Sequence, residues 1–255
     1  MKKLALISAI SLISLSAISG NNMKFDRFLE MSTDRLSAVE FDVGAGSLDI
    51  VGTAGNQIRI NATIESDDFR DMSDLIEAFE NKMLFSIERQ SEYAMVYAKS
   101  KEKMNWGKSK NIMIHLQVEV PRGMDLVIDD GSGPMSIENI DGELTIDDGS
   151  GPITLRDIGN DVQIDDGSGP IMITDVNGDL SIDDGSGSIE LKNITGNVDI
   201  EDGSGGILAK DVGGDFRVDD GSGDIVVKSL AGEFKLVDDG SGSIKVNGER
   251  WGKNK

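Results

Sequence analysis

The sequence predicts an all-β fold, a parallel β-solenoid of two-strand coils, on three observations. A five-residue phrase, acidic–Asp–Gly–Ser–Gly, occurs seven times, starting at Asp129, Asp147, Asp165, Asp183, Glu201, Asp219 and Asp238. The intervals are 18 residues five times and then 19, and a fixed period near 20 marks units that bury their apolar faces only against neighbouring copies. Between the phrases, apolar residues fall at alternate positions, as strands with one buried face require.

The coil from Gly151 to Ser168 shows the pattern. Ile153 and Leu155 form one alternating run and Val162 and Ile164 another, with Ile158 between them ahead of Gly159-Asn160. A coil of about 18 residues therefore holds two short strands, two turns and roughly five inward side chains. The following coils repeat it with Ile171, Ile173, Val176, Leu180 and Ile182, then with Ile189, Leu191, Ile194, Val198 and Ile200. The coil opening at Gly205 is expected to be irregular, with Ile207 and Leu208 both inward ahead of Val212, Phe216 and Val218. Coils stacked in parallel at ~4.8 Å take right-handed crossovers.

Along the chain, residues 1–19 read as a signal peptide. Lys2 and Lys3 precede an apolar stretch from Leu4 to Leu15, and Ala17 and Ser19 fit the cleavage positions. The stretch is shorter than the ~20 residues of a membrane span, and no later segment approaches that length. This implies an extracytoplasmic location, the periplasm first, with cell surface or secretion left open. Residues 20–124 read as degenerate coils, because Asp42–Ile50 aligns without a gap on Asp165–Ile173 and Ile58 and Ile60 match Leu180 and Ile182. Within them, 68–83 is expected as an amphipathic helix near the N-terminal end. Phe69, Met72, Leu75, Ile76, Phe79 and Met83 share a face, and Asp68, Asp71 and Asp74 lie near its start. Such a helix would cover the open end of the stack. Strands are expected over Met83–Arg89, Tyr93–Lys99 and Ile112–Val120. Regular repeats occupy 125–246, and the tail 247–255 carries Trp251 as a C-terminal plug.

Three further stretches carry a resemblance: Val118-Glu119-Val120-Pro121-Arg122-Gly123 followed by Leu126-Val127-Ile128, the Gly-Ser-Gly-x-Ile-x-Ile units, and the second turns at Ile140–Leu144 and Val176–Leu180. From about Val39 to Val246 the chain resembles the bacterial putative-adhesin family of β-strand-repeat proteins, catalogued as a domain of unknown function. The resemblance implies a parallel β-solenoid outside the cytoplasm and supplies no catalytic residue. The chain departs from the family by placing two acids before nearly every Gly-Ser-Gly, where the family often has Thr or another uncharged residue.

The net charge of −21 is concentrated in the repeats: Asp129 to Gly242 holds 27 acidic and 6 basic residues, and the remainder is balanced. Such a field repels nucleic acid and anionic membranes and attracts cations or basic partners, which excludes nucleic-acid binding. Stacking makes two acidic columns. The first is Asp129, Asp147, Asp165, Asp183, Glu201, Asp219 and Asp238; the second is Asp130, Asp148, Asp166, Asp184, Asp202, Asp220 and Asp239. The degenerate copy keeps Asp42 in the first column and has Val43 in the second. By strand parity the first faces solvent with Gln163, and the second points inward with Val162 and Ile164. The inward acids are expected to accept turn N–H groups in an Asx arrangement, extended by Ser132, Ser150, Ser168 and their equivalents, with the glycines in unusual dihedrals.

The outward column leaves two readings open. Unit charges ~4.8 Å apart repel by ~0.9 kcal/mol even in water, so the seven outward acids are candidate Ca²⁺ ligands; otherwise they hold only diffuse counterions and the chain uses no cofactor. The Gly-Gly-x-Gly-x-Asp motif of Ca²⁺-binding β-rolls is absent, so that ligand scheme does not transfer.

Three functions follow in order. The first is a non-catalytic scaffold or interaction module presenting an acidic face to a protein or cell-envelope polymer. The second is a Ca²⁺-binding β-roll. The third is a polysaccharide-active β-helix enzyme, disfavoured because seven near-identical acid pairs contradict a single tuned site. There is no Cys, His115 is the only His, and Arg156, Lys192, Lys210 and Arg217 look scattered. Lys99–Lys110, with five Lys and Trp106, reads as a hairpin tip or a polyanion contact.

Overall fold

A computed structural model describes residues 22–101 and 110–252; the expected signal peptide and most of the Lys-rich loop lie outside the described residues. The chain forms a parallel β-solenoid in two compact units, one ending at Gly133 and the other beginning at Pro134.

The second unit is the regular one. One of its sheets stacks β9 (Met135–Ile140), β11 (Ile153–Ile158), β13 (Ile171–Val176), β15 (Ile189–Ile194), β17 (Ile207–Val212), β19 (Ile225–Leu230) and β21 (Ile244–Val246), closed by the antiparallel β22 (Glu249–Arg250). The other stacks β10 (Leu144–Asp148), β12 (Val162–Asp166), β14 (Leu180–Asp184), β16 (Val198–Asp202), β18 (Phe216–Asp220) and β20 (Phe234–Asp239). Every step from β9 to β21 and from β10 to β20 is parallel, with residues 18 apart in register as far as the last coil: Ile153 pairs with Ile171 and Ile164 with Ile182, but Ile225 pairs with Ile244. The buried alternating residues meet between the two sheets.

One column explains why Ile158 breaks the alternation. Asn139, Asp157, Asp175, Asn193, Asp211, Ser229 and Asn247 all have φ between 51° and 62°. A left-handed residue turns the chain so that Leu155 and Ile158, three apart, both face inward. Asn, Asp and Ser are the small polar types that tolerate this region. The expected irregularity after Gly205 is not there. Ile207 and Ala209 are buried while Leu208 is partly exposed, so alternation continues with an inward residue too small to stand out in the sequence. The 19-residue interval has a local cause: Val218 pairs with Leu236 but Asp220 with Asp239, a bulge that pushes Val237 out. Ahead of the bulge Phe216 and Phe234 stack at 5.9 Å, and the Trp251 ring meets Phe234 edge-on at 4.9 Å, so Trp251 does cover the last coil.

The first unit keeps the coil only in part. Its strands are β1 (Met23–Ser32), β2 (Ala38–Ala45), β3 (Leu48–Thr53), β4 (Gln57–Ser66), β5 (Met83–Gln90), β6 (Tyr93–Ser100), β7 (Met113–Pro121) and β8 (Asp125–Ser132), with α1 (Met72–Lys82) before β5. β2 runs parallel to β6 and β8, and β3 parallel to β7. β4, however, runs antiparallel to β7 and β1, and β5 antiparallel to β6. The match of Ile58 and Ile60 to Leu180 and Ile182 therefore identifies buried positions but not the strand's place. After Thr53 the chain reverses through a turn and β4 returns in the same sheet. The strand β1, with Phe25 and Leu29 buried, was not foreseen.

The helix starts four residues later than expected, because Asp71 caps it by accepting the Ser73 N–H at 3.0 Å. Leu75 and Phe79 are its buried residues, and Phe79 packs edge-on against Phe25 at 5.4 Å and near Phe85 at 6.2 Å. β1 and β5 end the two strand orders of this unit, so α1 covers the outermost strands, as a cap does. Among the described residues no helix is long and apolar enough to cross a membrane.

The closest constraint on the stack is at the fourth residue of the Asp-Gly-Ser-Gly turns. Gly169 has φ 151°, and a Cβ there would sit 1.9 Å from the Gly151 carbonyl oxygen. At Gly187, Gly205 and Gly223 the same distance is 1.8, 1.5 and 1.4 Å, always to the carbonyl of the coil below. By contrast, the atom nearest a Cβ on Gly206 is 4.0 Å away. Gly205→Ala is therefore expected to cost about 2–3 kcal/mol and lower Tm by roughly 5–10 °C, while Gly206→Ala changes Tm by less than about 2 °C. Thermal melts of the two variants check this; equal losses would remove the carbonyl contact as the cause.

Candidate functional site

The two acids of each repeat point to opposite sides of the sheet. Asp130, Asp148, Asp166, Asp184, Asp202, Asp220 and Asp239 are buried, with exposures of 8 % or less. Asp129, Asp147, Asp165, Asp183, Glu201 and Asp238 are exposed and Asp219 is half-buried. The inward acids do the turn chemistry: Oδ1 of Asp166, Asp184, Asp202 and Asp220 accepts the N–H of Ser168, Ser186, Ser204 and Ser222 at 2.8–2.9 Å. The serines extend the ladder through their main chain, as where the Ser186 carbonyl accepts the Gly169 N–H at 3.0 Å.

The other oxygen of this column is the cost. Oδ2 of Asp148, Asp166, Asp184, Asp202 and Asp220 is buried without a hydrogen-bond partner among the described residues, and consecutive carboxyls sit in register. Burial, aided by neighbouring aspartates, raises the pKa of all five, to about 6 at Asp148, Asp184 and Asp202. Val43, in register with Asp130, shows that a chain position here accepts an uncharged side chain.

The outward face is a different surface. Thr145, Gln163 and Ser181 form a floor in register, with Asp147, Asp165 and Asp183 as an outward acidic row two residues further along the strands. Glu143, Asp161 and Asp179 rim a trough of about 460 Å³ over that floor, and the outward row stands beside the trough rather than in its lining. The rim of the trough is fixed by a ladder the sequence reading missed. Asp161 Oδ1 accepts the Asp179 N–H at 2.8 Å, Asp179 Oδ1 the Asn197 N–H at 2.7 Å, and Asn197 Oδ1 the Asp215 N–H at 2.9 Å. Each acid thus supports the next coil and keeps its second oxygen for the surface. The signal was visible as Asp or Asn at constant offset, hidden among 46 acids.

Internal cations pair with some of the outward acids of each unit. Arg217 pairs with Asp199 and reaches Glu201 at 3.7 Å, and Lys99 pairs with Asp42. Asp147, Asp165 and Asp183 make no ion pair among the described residues. Of the seven candidate Ca²⁺ ligands, Asp147, Asp165, Asp183, Glu201 and Asp219 are brought into register but not into a cage, Asp238 is offset by the bulge and Asp129 belongs to the first unit: among the described residues no three acidic or histidine side chains converge as metal ligands.

His115 is half-exposed beside Ser47 and Glu65, with Nε2 3.6 Å from Glu65 Oε2. Its Nδ1 accepts the Ser47 backbone N–H at 3.0 Å, with Ser47 Oγ at 3.2 Å. The amide takes the lone pair that a general base would need for the hydroxyl, so this trio clamps the turn between β2 and β3 rather than activating Ser47. Three of the four basic residues that looked scattered are aligned, while Arg217 lies on the other sheet. Arg156, Thr174, Lys192, Lys210 and Lys228 are register neighbours on the outer face of the β9–β21 sheet.

The raised pKa values set a pH dependence. The folded chain holds protons on the inward aspartates above 3.8, where unfolded aspartates release them, so their stabilisation is complete below about pH 4 and lost as pH rises through about 6. Glu65, held down by Lys24, and Asp71 and Asp224, held down by Ser73 and Ser243, act oppositely at lower pH. Tm is expected to be highest near pH 4–5 and to fall towards pH 7.5. Asp184→Asn keeps the acceptor for Ser186 and removes the charge. It should raise Tm at pH 7.5 by roughly 2–4 °C, equivalent to about 1 kcal/mol, and leave it unchanged at pH 4.5. Melts of both chains across this range decide it; a loss at both pH values would rule out the buried charge.

Comparison with known proteins gives the fold a family. No curated protein matches the sequence. Among solved structures, a "putative cell adhesion protein" from Clostridium sporogenes ATCC 15579 is similar at 13 % identity and TM-score 0.44, over 83 % of this chain and 98 % of that one. A "putative adhesin" from Bacteroides fragilis NCTC 9343 is similar at 12 % and 0.43, over 86 % and 96 %. A "putative lipid binding protein" from Parabacteroides distasonis ATCC 8503 is similar at 15 % and 0.43, over 88 % and 95 %. The family model described as Toastrack DUF4097 matches residues 38–246, which takes in both units from β2 to β21 and agrees with the resemblance drawn from the repeats. The chain belongs to the Toastrack DUF4097 family.

Proposed function

We propose that the chain is a non-catalytic interaction module that works outside the cytoplasm and binds through its outward acidic face, the trough and the acidic row beside it. The observation that carries this reading is that face: Glu143, Asp161 and Asp179 rim a trough over Thr145, Gln163 and Ser181, and the in-register row Asp147, Asp165 and Asp183 beside it makes no ion pair among the described residues. A rigid sheet that repeats one polar pattern every ~4.8 Å suits a partner with repeating cationic groups, such as a basic protein segment or a cell-envelope polymer carrying amines. Paired carboxylate catalysis is a poor fit, because Asp165 and Asp166 face opposite sides of their sheet and cannot attend one bond. The extracytoplasmic address rests on the signal-peptide pattern of residues 1–19, and the periplasm is the compartment it favours.

Poly-lysine serves as the probe. The chain lacking residues 1–19 is expected to bind it, and Asp147→Asn/Asp165→Asn/Asp183→Asn to weaken binding by about tenfold, since exposed pairs are worth ~0.3–0.5 kcal/mol each. Calorimetry with Ca²⁺ is expected to give no saturable heat. Equal binding by the triple variant sinks the acidic face as the site, and stoichiometric Ca²⁺ binding lost in that variant replaces this reading with the metal-binding one.

A further inference from the structure

The two outer faces of the second unit carry opposite charge in the same repeat. On the β10–β20 sheet, Asp147, Asp165 and Asp183 occupy three successive coils. On the β9–β21 sheet, Lys192, Lys210 and Lys228 occupy three successive coils, all exposed. Glu190, Leu208 and Val226 run in register beside the lysines, so the basic ladder has a partly apolar flank. Among the described residues Lys210 alone of the three makes an ion pair, with Asp211 at 3.6 Å. Like charges directly in register disfavour the isolated sheet, and three lysines stacked this way in a chain of net charge −21 want an anionic ladder to face. Both ladders step once per coil, so their spacing is set by the same strand-to-strand distance of ~4.8 Å.

We propose that the lysine ladder Lys192–Lys210–Lys228 docks on the outward acidic face of a second copy of this chain, against the row Asp147, Asp165 and Asp183 beside the trough. This rests on that face being a binding surface and names one occupant for it. The two ladders lie on different sheets, so each copy can use both at once; the contact is heterologous and builds an open series of copies rather than a closed dimer. Net charge opposes approach at low salt. Near 0.1 M salt that long-range repulsion is screened beyond ~10 Å, while the ladder contact lies within it. Association should therefore be strongest near ~0.1–0.15 M salt and weaken towards 1 M.

Sedimentation of the chain lacking residues 1–19, over roughly 10–500 µM at 0.15 M salt, tests this with two charge-reversed variants. Variant A is Lys192→Glu/Lys210→Glu/Lys228→Glu, and variant B is Asp147→Lys/Asp165→Lys/Asp183→Lys. The wild-type mass is expected to rise with concentration past a dimer. A and B alone should each associate at least about tenfold more weakly. Mixed, they should form a complex, because A keeps the acidic row and B keeps the lysine ladder. Circular dichroism melts confirm that both variants fold; if either does not, the single reversals Lys210→Glu and Asp165→Lys take their place. A wild type that stays monomeric throughout overturns the proposal, and poly-lysine binding by that monomer would leave the acidic-face reading standing. Self-association that A does not weaken also overturns it. So does a monomer whose lysine ladder instead binds vesicles of anionic phospholipid, in which case the face belongs to lipid.

Discussion

The glycine that touches the carbonyl of the coil below is the contact on which this solenoid depends. It lets the turn of one coil lie directly on the next, and that superposition fixes the 18-residue length of everything between two turns. A residue count held constant places inward apolar side chains in columns, and columns are what close the core without disulfides. The acidic columns follow from the same geometry. Once a turn repeats in register, any charge it carries repeats too, whether the site needs it or not.

The price of that repetition differs on the two sides of the sheet. Outside, water screens the rows of carboxylates, and side chains such as Asp161 and Asp179 use one oxygen to hold the next coil. Inside, Asp184 satisfies one oxygen on Ser186 and has nothing for the other. The same residue type is therefore a strut on one face and a stored strain on the other, and the strain grows with pH.

Much of this was legible in the sequence, and the gaps have physical reasons. The coil length, the parallel stack, the helix and the opposite facing of the two acids all follow from period and parity, which side-chain type reports directly. Strand direction does not: β4 has the alternation of a coil strand, but a partner chosen elsewhere in the chain makes it antiparallel. The left-handed column was hidden because Asn139, Asp157 and Asp175 look like any other polar residues until the backbone is seen. Ala209 was passed over for Leu208 because size, not position, draws the eye. The lysines looked scattered because Thr174 interrupts their column. On the outward face, the acidic row of the Asp-Gly-Ser-Gly phrase was visible, but the trough rim at Asp161 and Asp179 was not, since a ladder of side chain to backbone bonds has no local motif.

The bulge at Val237 has a consequence for how such a chain changes over generations. Coils between Asp147 and Asp220 are close to interchangeable, so slippage during replication could add or remove one as a block of 54 nucleotides and leave every remaining contact in register. The 19-residue step is different. It offsets the last turn by one residue, between Phe234 and the Trp251 that covers it, so a coil copied from upstream does not keep register beyond it. Copy number is free to drift in the middle of the repeats, and the odd residue marks where the array must end.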